Sequence, residues 1–517
     1  MSYILVLAIL LCLPAAGFAG TVSGRVLDAE SGRGVTRMTV RLKSAAHHWT
    51  AHETATNAQG AFTLQDVRPG RYRLVASSED RRYAEAEYGA PKPGRPGVTL
   101  QIGGDDLAEL EIPVVRGAVV TGGVRNHEGQ PFARVQVTLL AESYRNGFRQ
   151  FLPQGRAMTD DRGEYRVFGL AAGRYVAQAS VMPVLRSGYP KDEAREEGYF
   201  TAYYAPGTTG AGDASVLDVG PGAELRGIDF QLRKERGVRV RGRVERQVQG
   251  PPIAVFLTPD EWAAHSGVNQ TWVGPEGEFE FSRVAPGAYT LTARSVPAAV
   301  RRPLAVGYDD IEGIELVLDA GAEVRVAVRA DPPGSVPLDG VGVALRTPRQ
   351  ADPALLLDAC APNLGADGAA QFPATPRDRY YVTVCGVPEG AYVASAAALA
   401  QPLDLTEGTA FGAEVVLRGG AGRVVGKVGD GVAAATVLLV PQFHSENRFR
   451  FLRAATADTN GEFAIDNLEP REYRAYAWAD IEPFAWNQPG FLEPDPGVAV
   501  TVEPGSEARL ELPVKED

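Results

Sequence analysis

The sequence predicts an all-β protein assembled from several small sandwich modules, and three observations carry that prediction. A turn, strand, turn, strand frame, clearest at residues 159–175 (TDDRGEYRVFGLAAGRY), occurs five times along the chain. Within each copy polar and apolar residues alternate, as in Glu164-Tyr165-Arg166-Val167, the period of a strand with one buried face. Glycine at 58 and proline at 37, against only 4 methionines, suit a turn-rich chain without long helices.

Each part of the frame has a physical reason. Gly163 follows two aspartates and an arginine, a composition that favours a tight turn ending at positive φ. Gly173 closes the next turn, and Tyr175 stands two positions later on the following strand. The turn glycine and closing tyrosine recur as Gly60/Tyr72, Gly163/Tyr175, Gly277/Tyr289, Gly368/Tyr380 and Gly461/Tyr473, each pair 12 residues apart. The fourth copy is degenerate between its ends yet keeps the spacing. The tyrosines are expected to pack in cores.

The order Gly-x-Val, apolar strand, Thr-Asp-x-x-Gly-x-Phe/Tyr turn, then Pro-Gly-x-Tyr resembles the carboxypeptidase regulatory-like domain. That resemblance implies a seven-stranded prealbumin-like sandwich, Ig-like in outline, with a carbohydrate-binding-like fold related to collagen-adhesin B-type repeats. Such domains are similar in shape to starch-binding modules and occur as accessory pieces on peptidases, receptors and surface proteins. No catalytic residue comes with the module.

Read in order, the chain divides into a signal peptide at 1–19 and β-sandwich repeats at 20–117, 118–236, 237–321, 322–420 and 421–517. The apolar run at residues 4–13 has signal-peptide length and is too short to span a membrane. The expected location is therefore secreted, periplasmic or at the cell envelope. The second repeat carries an aromatic insertion whose Tyr203 and Tyr204 either pack back on the sandwich or stand out as a stacking platform. The third places Trp262 and Trp272 before its central turn. The fourth holds Cys360 and Cys385, and two cysteines in one exported module suggest a disulfide. A loop of about 25 residues closed that way would stabilise by roughly 3 kcal/mol. After Tyr473 comes the densest aromatic segment, with Trp478, Phe484 and Trp486, the leading candidate for an exposed ligand surface, the alternative being a plug over the open end of the last sandwich. The linkers are short (Val114 to Val119, Leu232 to Val238), which favours a semi-rigid rod or arc; five stacked modules of about 34 Å would reach roughly 170 Å.

The chemistry of catalysis is missing. There is no GxSxG elbow, GxGxxG after a strand, Walker loop, CxxC or HExxH. His47, His48 and His52 lack a metal-ligand spacing, and Asp160/Asp161 lack the ladder of a calcium loop. Acidic pairs such as Asp105-Asp106 and Asp309-Asp310 stand just before closing strands and read as solvated turns. No cofactor or metal is expected. A net charge of −12 argues against a nucleic-acid partner. The expected function is non-catalytic binding or scaffolding, with polysaccharide as the favoured ligand. Protein–protein adhesion at the envelope is the alternative, and an enzyme or hydrolase accessory the remote one.

Overall fold

The computed structural model describes residues 20–45, 50–103, 105–145, 148–181, 198–199, 202–203, 214–235, 237–247, 249–260, 269–295, 298–347, 363–442, 451–493 and 495–515. The signal peptide, Tyr204, Cys360, His47, His48 and Trp262 lie outside them. The architecture is nearly all strand. Among the described residues the one α-helix, α1 (Ala396–Leu399), is a single turn.

The first module shows the pattern. Its strands are β1 (Gly20–Asp28), β2 (Met38–Ser44), β3 (Thr50–Ala55), β4 (Ala61–Val67), β5 (Gly70–Ser78), β6 (Ala86–Glu87), β7 (Leu100–Ile102) and β8 (Leu107–Val114). One sheet runs β4-β1-β8 and the other β3-β2-β5, with β6 and β7 on the far side of β5. β1 is antiparallel to β4 and parallel to β8, so the first and last strands close the module side by side. Inward residues of both sheets, among them Val22, Val40, Leu42, Leu74 and Ile112, form one core. The parallel first-to-last pairing recurs at Val238–Arg246 with Ile311–Leu318, at Ala322–Ala330 with Ala410–Gly419, and at Gly422–Val428 with Glu507–Leu512. In the second module the short strands Glu224–Leu225 and Phe230–Gln231 pair with Ala118–Arg125 in the same way. Each of five large hydrophobic clusters draws its residues almost entirely from one repeat.

The turn glycines hold these modules in register. Gly60, Gly163, Gly277, Gly368 and Gly461 have φ of 76, 73, 87, 70 and 78°. Their carbonyls accept the backbone N–H of Val26, Val124, Val244, Val328 and Val428, each on the first strand of its module, at 2.7–2.9 Å. A Cβ on Gly60 or Gly163 would lie 2.5 Å from a first-strand carbonyl oxygen. The residue three before the glycine completes the turn in three copies. Asn57, Asp160 and Asp458 each accept two backbone N–H groups through Oδ1. In the first two copies the preceding threonine is buried; Thr56 and Thr159 donate to Val35 and Phe132 carbonyls and accept the N–H of Met38 and Val135.

The closing tyrosines do more than fill cores. The hydroxyls of Tyr72, Tyr175, Tyr289 and Tyr473 each donate to the carbonyl four residues earlier, at 2.8–3.0 Å. Burial pushes the Tyr175, Tyr289 and Tyr473 hydroxyls up to about 12.

Tyr380 departs from the other four. It is the second residue of the strand Arg379–Cys385, pairs with Leu403 and lies in the fourth module's core at 1% exposure, the deepest of the five rings. Asp378 stands two residues before it, where Gly70, Gly173 and Gly287 stand in the first three copies. The turn is accordingly built on a carboxylate, which accepts Arg301 of the third module at 2.9 Å. A ring this deep is closed to any ligand. Tyr380 therefore packs the core and is not part of a binding surface.

The carboxylates before closing strands also have a role that the reading as solvated turns missed. Asp106, Asp229 and Asp310 accept the N–H of Thr21, Gly123 and Arg239 on their modules' first strands, at 2.7–2.9 Å.

Two substitutions check this framework. Gly163→Ala forces a side chain into positive φ and against the Val124 carbonyl, and should cost the second module more than about 1 kcal/mol. Tyr175→Phe removes one hydrogen bond and should cost about 1 kcal/mol. Native-state hydrogen exchange of the second module's strands reads both, with neighbouring modules as internal controls.

Candidate functional site: a three-module junction

The aromatic segment after Tyr473 begins where the strand Arg471–Trp478 ends. That strand alternates, sending Tyr473, Ala475 and Ala477 into the module core and Tyr476 and Trp478 to the opposite face. Leu438 and Val440 point the same outward way from the neighbouring strand Thr436–Pro441. The chain turns at residues 479–484 and folds back, so that Ile481, Trp486 and Leu492 cover this second apolar face. Trp478 and Trp486 are therefore buried, at 6% and 7% exposure, and Tyr476 stacks on Trp478 with ring centroids 5.8 Å apart. The exposed platform expected at Trp478 and Trp486 does not exist, because the outer face of the fifth module's sheet is itself apolar and needs a cover. Phe484 alone of the three candidates stands half-exposed.

The same segment joins three modules. Asp480 accepts Lys92 Nζ and Arg95 Nε of the first module, both at 2.5 Å. These cations stand on a loop rich in proline and glycine, residues 89–97. A Cβ at Gly94 of this loop would come within 3.3 Å of Ala171 in the second module. The 3₁₀ turn Ala485–Asn487 lies against the second module's strand Val135–Arg145, and Asn487 Nδ2 donates to the Tyr144 carbonyl at 3.2 Å. Glu482 lies close enough to Tyr175 to contribute to the raised pKa of that hydroxyl. Burial pushes Asp480 up, but the hydrogen bonds from Lys92 and Arg95 outweigh it and hold the carboxyl below its ordinary value. Its stabilising contribution is thus complete above the ordinary carboxylate pKa and is lost as pH falls through its own lowered one.

A second contact joins the first and fifth modules. Arg71 on β5 pairs with Asp466 Oδ2 at 3.2 Å and donates to the Ala464 carbonyl. Asp466 Oδ1 meets Arg423 Nε at 2.8 Å, Arg423 reaches Glu507 at 3.3 Å, and Arg509 meets Glu507 at 2.8 Å. This ladder of alternating charge lines a cleft of about 670 Å³ between the two modules. Ala434 of the fifth module joins the first module's core cluster. The fourth and fifth modules are tied by Gly390, whose N–H donates to Asn467 and whose carbonyl accepts Ala421 N–H. The third and fourth are tied by the Arg301–Asp378 pair. An extended string of roughly 170 Å is thus not what the chain forms. Short linkers allow the turns that bring complementary charges on the first and fifth modules together.

Other sequence candidates lie elsewhere. Tyr203 belongs to the two-residue strand Ala202–Tyr203 paired with Gln178 and Ala179. Cys385 ends the strand Arg379–Cys385 and is disulfide-bonded; its expected partner Cys360 lies outside the described residues. Trp272, which the sequence places before the third module's central turn without a role, is 60% exposed on the edge strand Asn269–Trp272. Among the described residues no group of three or more His, Cys, Asp or Glu is placed to hold a metal ion, and no helix is long and apolar enough to cross a membrane.

Residues 21–108, within the first module, match the family profile of the carboxypeptidase regulatory-like domain. No curated protein matches the chain. Solved structures with some likeness include the TIE protein of Bacillus anthracis, at 11% identity over 58% of this chain and 50% of that one, TM-score 0.17. The minor pilin GBS52 of Streptococcus agalactiae shows 13% identity over 42% of this chain and 96% of its own, TM-score 0.24. The shaft pilin SpaA of Lactobacillus rhamnosus GG shows 10% identity over 42% and 98%, TM-score 0.20. The chain spans half the length of the first of these.

Because Trp478 and Trp486 are core residues, replacing either with alanine should destabilise the fifth module by about 3–5 kcal/mol. Tryptophan fluorescence during denaturation reads this loss. A normal unfolding midpoint in either variant would contradict their burial.

Proposed function

We propose that this chain is a non-catalytic scaffold of the cell envelope, exported behind the signal sequence read at residues 1–19. Its modules, bounded as 20–117, 118–236, 237–321, 322–420 and 421–517, hold a macromolecular partner on their outer faces. The observation that supports this reading is the junction. The fifth module docks on the first through ion pairs and Ala434, and on the second through the Ala485–Asn487 turn and its hydrogen bond to the Tyr144 carbonyl, which fixes the modules relative to one another. Many repeated side chains are engaged with their own backbone: Asn57, Asp160 and Asp458 with N–H groups, and the hydroxyls of Tyr72, Tyr175, Tyr289 and Tyr473 with carbonyls. Such residues build a rigid presenting surface, and a protein partner pairing with an edge strand or sheet face suits it.

A second reading, polysaccharide binding, has one observation in its favour. On the third module Ala254 pairs with Trp272 on one side and Arg294 on the other, so all three share the face turned away from the core residues Val255 and Leu257. Gln270 is on the same face, beside Phe256. A lone exposed indole among hydrogen-bonding side chains suits a sugar ring, which offers an apolar C–H face and a rim of hydroxyls.

One titration separates the two. Envelope fragments are left untreated, digested with protease or oxidised with periodate, and then mixed with the purified mature chain. Retention that survives periodate and is lost after protease is the expected result. Loss after periodate, reproduced by Trp272→Ala on untreated fragments, would replace the protein partner with a polysaccharide.

A further inference from the structure

A cation stands on the inward face of the fifth module. The edge strand Arg453–Thr456 pairs with Thr436–Pro441 so that Ala455 lies opposite Val437 and Arg453 opposite Leu439. Val437 and Leu439 are core residues, and Ala455 packs against the same core. By the two-residue period of a strand, Arg453 turns inward as well. The second module shows where a side chain at this position goes. Leu139 there matches Leu439, since each pairs with the alanine two residues after its closing tyrosine, Ala177 and Ala475. Opposite Leu139 stands Gly155, and a Cβ on it would meet the core side chains of Val167 at 2.7 Å and Leu170 at 3.0 Å.

Arg453 has room to point into. Where the fourth module covers this end of the fifth lies a cavity of about 190 Å³. Its apolar wall comes from both modules, Val384, Val393 and Leu399 from the fourth and Pro441, Phe451 and Leu468 from the fifth. Phe451 packs against the fourth module's core, and Asn467 Oδ1 accepts the Gly390 N–H at 3.0 Å, so the two walls are tied together. Glu469 also lines the cavity, but its carboxylate already meets Arg471 at 3.0 Å. Among the described residues Arg453 forms no ion pair; it donates to the Leu452 carbonyl at 3.2 Å. Burial pulls its guanidinium below the ordinary value and pushes the Glu469 carboxyl above its own. Arg453 nevertheless keeps open surface. A group ringed by protein yet still accessible is one that lines a cavity.

We propose that this cavity between the fourth and fifth modules binds a small monocarboxylate with an apolar body, its carboxylate on Arg453 and its body against Val393, Leu399 and Phe451. Two guanidiniums and one carboxylate leave a single surplus positive charge, which suits a monoanion. A guanidinium fork matches the planar carboxylate with two parallel hydrogen bonds, and an enclosed site strengthens them. The apolar wall rewards a hydrocarbon body and disfavours a fully hydrated anion such as phosphate. The volume lies below the roughly 300 Å³ at which sites for drug-sized ligands begin. It therefore suits a small free acid or the last residue of a peptide chain, and both carry the same chemistry. This site is independent of the partner that the outer faces hold.

Calorimetric titration of the full mature chain with 3-phenylpropionate, and with its neutral amide, tests the site. The acid should bind and the amide should not. Arg453→Gln should weaken binding of the acid by about tenfold or more, the loss expected for a charged hydrogen-bonding pair. Val393→Phe leaves Arg453 in place and fills the cavity from the fourth module, and it should weaken binding as well. The two variants approach the site from different modules, and circular dichroism checks that each is folded. A short peptide ending in phenylalanine, with a free or an amidated C-terminus, then distinguishes the source. Tighter binding of the free-carboxylate peptide than of 3-phenylpropionate supports a protein C-terminus, and binding of the small acid alone supports a free metabolite. Failure of both acids to bind wild type, equal binding of acid and amide, or unchanged affinity in folded Arg453→Gln would overturn the site. Arg453 would then be an inward charge that keeps an edge strand from pairing with other chains.

Discussion

Every module depends on one hydrogen bond, from a first-strand valine N–H to the carbonyl of the turn glycine. It brings the middle of the sequence repeat against its beginning, and so sets the register of the strand that follows the turn. The glycine must hold positive φ to aim that carbonyl, and a first-strand carbonyl leaves no space for a Cβ at Gly60 or Gly163. The 12-residue interval to the tyrosine then follows from geometry. One strand crosses the module, a second turn reverses the chain, and in four copies the tyrosine lands where its hydroxyl reaches back four residues. The fourth copy keeps the glycine, its φ and its bond to Val328, and Tyr380 still enters the core, while the residues between diverge. That marks the bond, not the intervening composition, as the shared requirement within this chain.

The aromatic residues separate two kinds of legibility. Tyr72, Tyr175, Tyr289 and Tyr473 are readable as core because they sit at fixed positions in a repeat. Tyr380 shares that position, but the altered turn before it, with Asp378 in place of a glycine, is not something the spacing reveals. Trp478 lies beyond the closing tyrosine on its strand and Trp486 beyond the strand's end, so neither holds a fixed position in the frame and their density alone suggests exposure. What that density does not reveal is that the outer face of the fifth module's sheet is also apolar at Leu438, Val440, Tyr476 and Trp478. The signal is present: the strand Thr436–Pro441 is buried along its whole length, and reads as a continuous apolar run instead of an alternating one. Such a run means cover on both faces. Trp272, by contrast, stands on a short edge strand beside polar residues, and that placement is what leaves it exposed.

Asp106, Asp229 and Asp310 show a similar limit at smaller scale. Their position before each closing strand is visible, but an aspartate before a strand looks the same whether it faces water or a backbone donor. Only the parallel pairing of first and last strands brings the Thr21, Gly123 and Arg239 N–H groups within reach.

By itself the sequence determined the local architecture: all-β modules, the turn glycines and the core tyrosines. These follow from short-range rules, alternation along a strand and steric limits at a turn, repeated often enough to stand out from composition. Tertiary structure alone decided that the fifth module returns to the first and second. Asp480 with Lys92 and Arg95, and Asp466 with Arg71, are pairs separated by hundreds of residues. Each partner is an ordinary surface charge in its own module. Their meeting depends on the summed angles of the linkers between, a quantity that no local pattern of residues encodes.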